Sequence, residues 1–231
     1  MTKIVGLLPA SGSASRLSGI PKFCLPINED MTLLQWHIEK LSDICDEIHV
    51  STRKMWVPLI ENMNFSQKIE IHILEPSTMS DAIVKMTTEL NNRYIVAMPD
   101  TFIQGYQNNY YLNLGVSKSD ISVAAFNCHR NLQGKVGQLQ ISGDAVLQVR
   151  DKDPECKWEW MWGAFAFQYL SLNKAHSSPS QQIADWIQEG RHVEACLNPG
   201  KYIDLGTVAA LKNFYAYELE LDNVAPKGHE G

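Results

Sequence analysis

Three short stretches hold the residue types that polyphosphate chemistry requires. Pro9-Ala10-Ser11-Gly12-Ser13-Ala14-Ser15 is a run of small residues, followed at once by Arg16 and, next to Pro21, by Lys22. Small side chains let backbone N–H groups come close to a ligand, and successive amides in such a turn form an anion-binding concavity. The second stretch, Tyr94 to Asp100, delivers an aspartate at the tip of an apolar run. The third, Lys201 to Thr207, places Asp204 just before a Gly-Thr pair. A triphosphate brings several negative charges, and Mg²⁺ binds through one or two carboxylates together with phosphate oxygens. Arg16 and Lys22 therefore suit the phosphates, and Asp100 and Asp204 suit the metal. Each piece has a plainer reading when taken alone. A small-residue loop also serves as a tight strand-to-helix turn, and an aspartate at a strand end also serves as a turn or cap residue. Two aspartates at equivalent strand ends beside an anion loop favour the chemical reading.

Better-known phosphate loops do not fit. There is no G-x-x-x-x-G-K-[ST], and the segment from Gly12 to Leu17 lacks the later glycines of a dinucleotide fingerprint. No serine sits in G-x-S-x-G, which argues against a hydrolase elbow. The stretch resembles instead the signature of the sugar-1-phosphate nucleotidyltransferases, G-x-G-T-R-[LM] followed by P-K and an L-P pair. Here those positions are Gly12 to Leu17, then Pro21-Lys22 and Leu25-Pro26, with Ala14 in place of the second glycine and Ser15 in place of the threonine. The resemblance is to the glucose-1-phosphate thymidylyltransferase type, and it extends from Ile4 to about Leu211.

That resemblance implies roles. Amides of the loop from Ala10 to Ser15 and Arg16 would hold the β- and γ-phosphates, with Pro9 at the head of the same nucleotide-binding loop, Lys22 would approach the α-phosphate, and Asp100 with Asp204 would bind Mg²⁺. Asp204-Leu205-Gly206-Thr207 matches the family's D-x-G-T segment. Asp151 and Lys152 match its E-K-P segment, whose acidic residue binds sugar hydroxyls and whose lysine binds the sugar phosphate; aspartate replaces glutamate and Asp153 is inserted before Pro154. Without that context, the same residues read as a solvated charge run. Gly137 falls at the family's Y-G-x-V segment, with Val136 for the tyrosine, and Trp162 next to Gly163 falls where a glycine lies near the sugar. Glu75 and Ser80 occupy the base-reading segment Q-P-x-x-x-G and depart from it at both informative positions. The implied reaction joins a nucleoside triphosphate, dTTP first with UTP, CTP and GTP open, to a sugar 1-phosphate and releases pyrophosphate. A cytidylyltransferase for a non-sugar phosphate or phosphonate shares the loop and the lysine. A catalytically silent nucleotide-binding module is the reading from another class, and Ala14 is its main support.

The elements that must position these residues follow from hydrophobic period. Ile4 to Leu8, Glu47 to Ser51, Ile69 to Leu74 and Tyr94 to Met98 read as strands, with Ile69, Ile71 and Ile73 on one side of the third. Between them, Thr32 to Gln35 is a capping box, Arg53 to Met63 forms a helix limited by Pro58, and Thr78 to Asp81 caps a helix through Leu90. Strand-helix alternation predicts an α/β fold, Rossmann-like, with a mostly parallel central sheet and helices on both faces. Ile121 to Asn127, Gly137 to Ser142 and Ala145 to Asp151 are expected to add antiparallel strands. Trp158, Trp160 and Trp162 share a side if their segment is a strand. Ser178-Pro179 starts a helix that Gly190 ends, and a strand near His192 to Leu197, the segment Lys201 to Leu205 and a helix from Thr207 complete a single domain over residues 1–221, with 222–231 fraying.

Composition sets bounds. A formal charge of −6 lacks the dominant basic field that a nucleic-acid surface needs. The odd cysteine count with no C-x-x-C pair suits reduced thiols, and no signal-peptide layout or membrane-length apolar run is seen, so a cytoplasmic protein is expected. The seven histidines show no H-x-x-x-H or similar spacing and read as structural or exposed. The chain is expected to lack the C-terminal extension of larger relatives, which leaves its oligomeric state open.

Overall fold

The computed structural model describes residues 2–87, 89, 91–104, 109–168 and 176–224, and for Arg16 and 217–224 the backbone alone. The first half alternates β1 (Ile4–Pro9), α1 (Leu33–Ser42), β2 (Glu47–Thr52), α2 (Val57–Glu61), β3 (Ile69–Ile73), α3 (Met79–Met86) and β4 (Arg93–Ala97). Its strands pair in parallel in the order β3-β2-β1-β4. Then follow β5 (Thr101–Gln104), α4 (Tyr110–Val116), β6 (Ile121–Asn127), β7 (Gly137–Ser142), β8 (Ala145–Asp151) and β9 (Trp160–Gln168). The described chain ends with α5 (Pro179–Gln188), β10 (Val193–Asn198), β11 (Lys201–Asp204) and α6 (Val208–Val224).

The nine-stranded sheet runs β3-β2-β1-β4-β9-β6-β10-β8-β7, and β5 and β11 form a separate antiparallel pair. Strand β9 lies antiparallel to both β4 and β6, and β8 lies antiparallel to β10. The sheet is therefore mixed rather than mostly parallel. The reason is visible in β9, where every residue from Met161 to Phe167 is buried. A strand covered on both faces reads as a continuous apolar run, and nothing in such a run gives its direction.

Alternation along β4 shows the two layers. Ile95 and Ala97 pack with Ile38 and Leu41 of α1, Ile60 of α2 and Leu114 of α4. Tyr94 and Val96 pack with Ile83 and Met86 of α3 and with Ile183 and Trp186 of α5. Helices thus cover both faces. The expected capping box is present: Gln35 N–H donates to Thr32 Oγ1 at 3.4 Å, and Thr32 N–H donates to Gln35 Oε1 at 2.9 Å. Pro58 sits in the first turn of α2, where its missing N–H costs nothing, so the expected helix begins there after one 3₁₀ turn.

Several boundaries differ from expectation. Helix α3 stops at Met86, because Thr87 takes extended backbone and its hydroxyl donates to Ile83 O at 2.8 Å; Leu90 lies outside the described residues. On the edge strand Ile69 and Ile71 are half-buried against the core, and Ile73 at its end is exposed. Trp158 precedes β9 and stacks under the Arg150 guanidinium at 5.1 Å, so only Trp160 and Trp162 share a strand face. At the carboxyl end α6 continues past Asp222 to Val224, and 225–231 lie outside the described residues. No described helix is long and apolar enough to cross a membrane.

Candidate active site

Strand β1 lies between β2 and β4, so the loop after Pro9 emerges at the carboxyl ends of three parallel strands. This is where ligands collect in open α/β sheets. Ser11 is turned inward: its carbonyl accepts from Arg53 Nε at 2.9 Å, and its hydroxyl lies 3.3 Å from that of Ser51. That anchors the loop to the segment after β2 and leaves Gly12, Ser13, Ala14 and Ser15 facing the cleft. Ala14 adopts left-handed backbone at φ +55°, the conformation that glycine at this position would take without strain. Pro9 and Ala10 line an inner recess with Phe23, Met79 and Pro99. The side chain of Arg16 lies outside the described residues.

The two aspartates are brought together by the short β5–β11 ladder. Asp204 pairs with Thr101, the residue after Asp100, and Leu205 N–H donates to Asp100 O at 3.0 Å. Lys22 reaches into the same place: its Nζ stands 2.6 Å from Asp100 Oδ2, both side chains half-buried. Asp204 Oδ1 accepts from Gly206 N–H at 2.7 Å. A Cβ added at Gly206 would come within 2.6 Å of Asp204 Oδ1 and 2.9 Å of Lys22 Nζ, so the glycine is what gives the lysine room between the acids. Beneath them Tyr202 is half-buried, and desolvation with the neighbouring Asp100 and Asp204 charges holds its hydroxyl neutral, well above the ordinary range.

The opposite wall is made by the end of β8 and the start of α5. Asp151 and Lys152 line a cleft of about 740 Å³ that also contains the loop, Lys22, Asp100 and Asp204. Asp151 is fixed at both oxygens: Ser180 Oγ donates to Oδ1 at 3.0 Å, and Ser178 Oγ donates to Oδ2 at 2.8 Å. Ser178 is the N-cap residue of α5, yet its hydroxyl makes no capping bond. Trp162 Nε1 donates to Ser180 Oγ at 2.8 Å, completing an indole–hydroxyl–carboxylate chain. Gly137 makes the chain possible, since an added Cβ would meet Trp162 Nε1 at 2.1 Å and Ser180 Oγ at 2.5 Å. Lys152 takes left-handed backbone, φ +53°, and its N–H donates to Val136 O at 3.1 Å. The inserted Asp153 turns away to Arg150, 3.2 Å distant.

Besides Pro9, Ala10 and Ser11 at the start of the loop, three sequence candidates are not brought to the cleft. Glu75 is exposed outside it, and Ser80 faces a small separate cavity beside Phe165 and Pro179. Gly163 packs under the rings of Phe126 and Tyr202 and serves close packing. Sequence reasoning missed Met79, Met98, Lys135 and Tyr202, which line the cleft. Lys135 lay in a turn with no distinguishing spacing, whereas Ser178 and Ser180 were readable only as helix-start residues.

Solved structures share this fold over nearly the whole chain. A Bacillus anthracis protein described as a glucose-1-phosphate thymidylyltransferase, crystallised with sucrose, superposes with a TM-score of 0.74 at 16% identity, covering 99% of this chain and 97% of that one. The chain carries the fold of the sugar-1-phosphate nucleotidyltransferases. A UDP-glucose pyrophosphorylase bound to UDP-glucose matches with a TM-score of 0.73 at 16% identity over 95% of this chain and 100% of that one. The inositol-1-phosphate CTP transferase of T. maritima matches with a TM-score of 0.71 at 10% identity, over 97% and 98% of the two chains. No protein-family model matches the sequence, and no curated protein matches it.

Proposed function

We propose that the protein transfers a nucleotidyl group from a nucleoside triphosphate to a sugar 1-phosphate, releasing pyrophosphate. The observation that carries this reading is the convergence of Lys22, Asp100 and Asp204 at the foot of the small-residue loop, in one cleft with Lys135, Asp151 and Lys152. A cleft of about 740 Å³ lies within the usual range for ligand sites.

An acceptor phosphate monoester has a second pKa near ~6, so it is a nucleophile at neutral pH without a general base. Its oxygen attacks the α-phosphorus, the bond from that phosphorus to the bridging oxygen breaks, and the electron pair leaves with pyrophosphate. What the chain supplies is alignment and charge neutralisation. Loop amides from Ala10 to Ser15, with Arg16, hold the β- and γ-phosphates. Lys22 exchanges its pairing with Asp100 for the α-phosphate, where negative charge accumulates. Lys152 aligns the acceptor phosphate, and Asp151, oriented by Ser178 and Ser180, accepts from sugar hydroxyls. Asp100 and Asp204 are an all-oxygen pair, of which Asp100 already engages a cation, the Lys22 ammonium, and this donor set fits Mg²⁺. When bound there, Mg²⁺ would neutralise phosphate charge.

The base is taken to be a pyrimidine, dTTP first. With Glu75 and Ser80 outside the cleft, Met79 is the residue of that segment placed to touch it. The test is pyrophosphate release from each of dTTP, UTP, CTP and GTP with Mg²⁺ and a panel of sugar 1-phosphates, inositol 1-phosphate included. Turnover with a sugar 1-phosphate supports the reading. Release with CTP and inositol 1-phosphate alone replaces it by the cytidylyltransferase reading, and no release with any pair overturns it.

A further inference from the structure

We infer that His49, Glu70 and His72 form a binding site for one divalent transition-metal ion of the Zn²⁺ kind, distinct from the cleft. Strands β2 and β3 are parallel neighbours with His49 opposite Glu70 and Ser51 opposite His72, and β3 is the sheet's edge. Ile48, Val50, Ile69 and Ile71 turn into the core beneath α1 and α2, so alternation sends the two histidines and the glutamate to the other face.

On that face the ring centroids of His49 and His72 are 4.9 Å apart. The Glu70 carboxylate bridges them, with Oε2 at 3.5 Å from His49 Nε2 and Oε1 at 3.3 Å from His72 Nε2. One ligand atom from each residue lies within 4.8 Å of the others. Zn²⁺ holds nitrogen and oxygen ligands tetrahedrally at about 2.0–2.2 Å, which makes the ligand-to-ligand edge about 3.4 Å. The two measured edges fall on either side of that value.

A second observation points the same way. The His49 side chain is 5% exposed, yet neither of its ring nitrogens has a hydrogen-bond partner, and the buried Nε2 of His72 has none. Buried polar atoms are ordinarily satisfied, and an orphan costs about 1–3 kcal/mol. Coordination satisfies both Nε2 atoms at once. Glu47 Oε2, 3.7 Å from His49 Nε2, or a water would complete the tetrahedron; the other Glu47 oxygen is held by Lys3 at 2.6 Å. Two imidazoles and a carboxylate select an ion such as Zn²⁺ over Mg²⁺, which separates this site from the oxygen-only pair in the cleft. An ion here would tie the edge strand to its neighbour. The sequence hides the site, because its ligands lie across two strands and not at helical spacing.

The experiment is calorimetric titration of metal-free full-length protein with Zn²⁺ alone, in excess Mg²⁺ to fill the carboxylate pair. The expected result is one equivalent bound, weakened on the order of a hundredfold in both Glu70→Gln and His72→Gln. Both substitutions lie on the edge strand, and circular dichroism reports whether the fold is kept. Co²⁺ added to the unmutated protein gives a readout independent of the variants, an intense tetrahedral visible spectrum. Absence of a binding event, binding unchanged in both variants, or an octahedral Co²⁺ spectrum would overturn the inference.

Discussion

Replacing Gly137 by alanine disturbs the Asp151 side of the cleft without touching a charged residue. The added Cβ would stand 2.1 Å from Trp162 Nε1 and 2.5 Å from Ser180 Oγ, so the indole must move and its bond to Ser180 must break. Overpacking costs about 1–3 kcal/mol. A buried donor left unsatisfied costs about another 1–3 kcal/mol. Gly137→Ala is therefore expected to lose about 3 kcal/mol of stability. Trp162→Phe removes both the clashing nitrogen and the same hydrogen bond, at about 2 kcal/mol. Because both changes destroy one bond, the double variant should lose about 3 kcal/mol, not the about 5 kcal/mol of independent sites, a coupling of about 2 kcal/mol. Urea unfolding followed by far-ultraviolet circular dichroism measures all three variants without depending on the indole. Pyrophosphate release should fall in each, since Asp151 loses the support that Ser180 receives from Trp162. Additivity of the two substitutions within about 0.5 kcal/mol would refute the close approach of Gly137 to the indole.

Two further outcomes follow from the same geometry. Ala14→Gly should raise stability by about 0.5–1 kcal/mol by relieving the φ of +55°, whereas Gly12→Ala, whose Cβ would meet nothing within 4 Å, should change it by less than about 0.5 kcal/mol; denaturant midpoints decide both. His37 is fully buried, and desolvation pushes its pKa from 6.5 down to about 4. The unfolded chain then binds this proton first, so the contribution is intact above pH 6.5 and is lost as pH falls towards 4. The loss amounts to about 3 kcal/mol, and His37→Gln should flatten the dependence of the urea midpoint on pH in that window. An equal slope in the two proteins would contradict it.

How far the sequence could be read depended on whether the signal was local. The capping box at Thr32, Pro179 at the start of α5 and the small-residue loop after β1 are determined by neighbours a few positions away, and the structure places them where local chemistry puts them. The strain at Ala14 was legible too, because replacing glycine in a turn adds a Cβ where positive φ is required. Direction and register were not legible. Strand β9 gave no alternation to orient it, and the β5–β11 ladder that sets Asp204 beside Asp100 joins segments a hundred residues apart in round numbers. Ser178 and Ser180 read as cap residues because the carboxylate that takes their hydroxyls lies on a different element. Glu75 and Ser80 failed as cleft residues for a related reason: the turn into α3 presents Met79 to the cleft, and Ser80 faces away.

The central claim is that Lys22, Asp100 and Asp204 act on one nucleotide tail. Its most direct test is the rate of pyrophosphate release with Mg²⁺ and the preferred substrate pair, compared between the unmutated protein and Asp204→Asn. The account predicts a fall on the order of a hundredfold or more, because the replacement removes one of the two carboxylates facing Lys22. A rate within a few-fold of the unmutated protein's would contradict it.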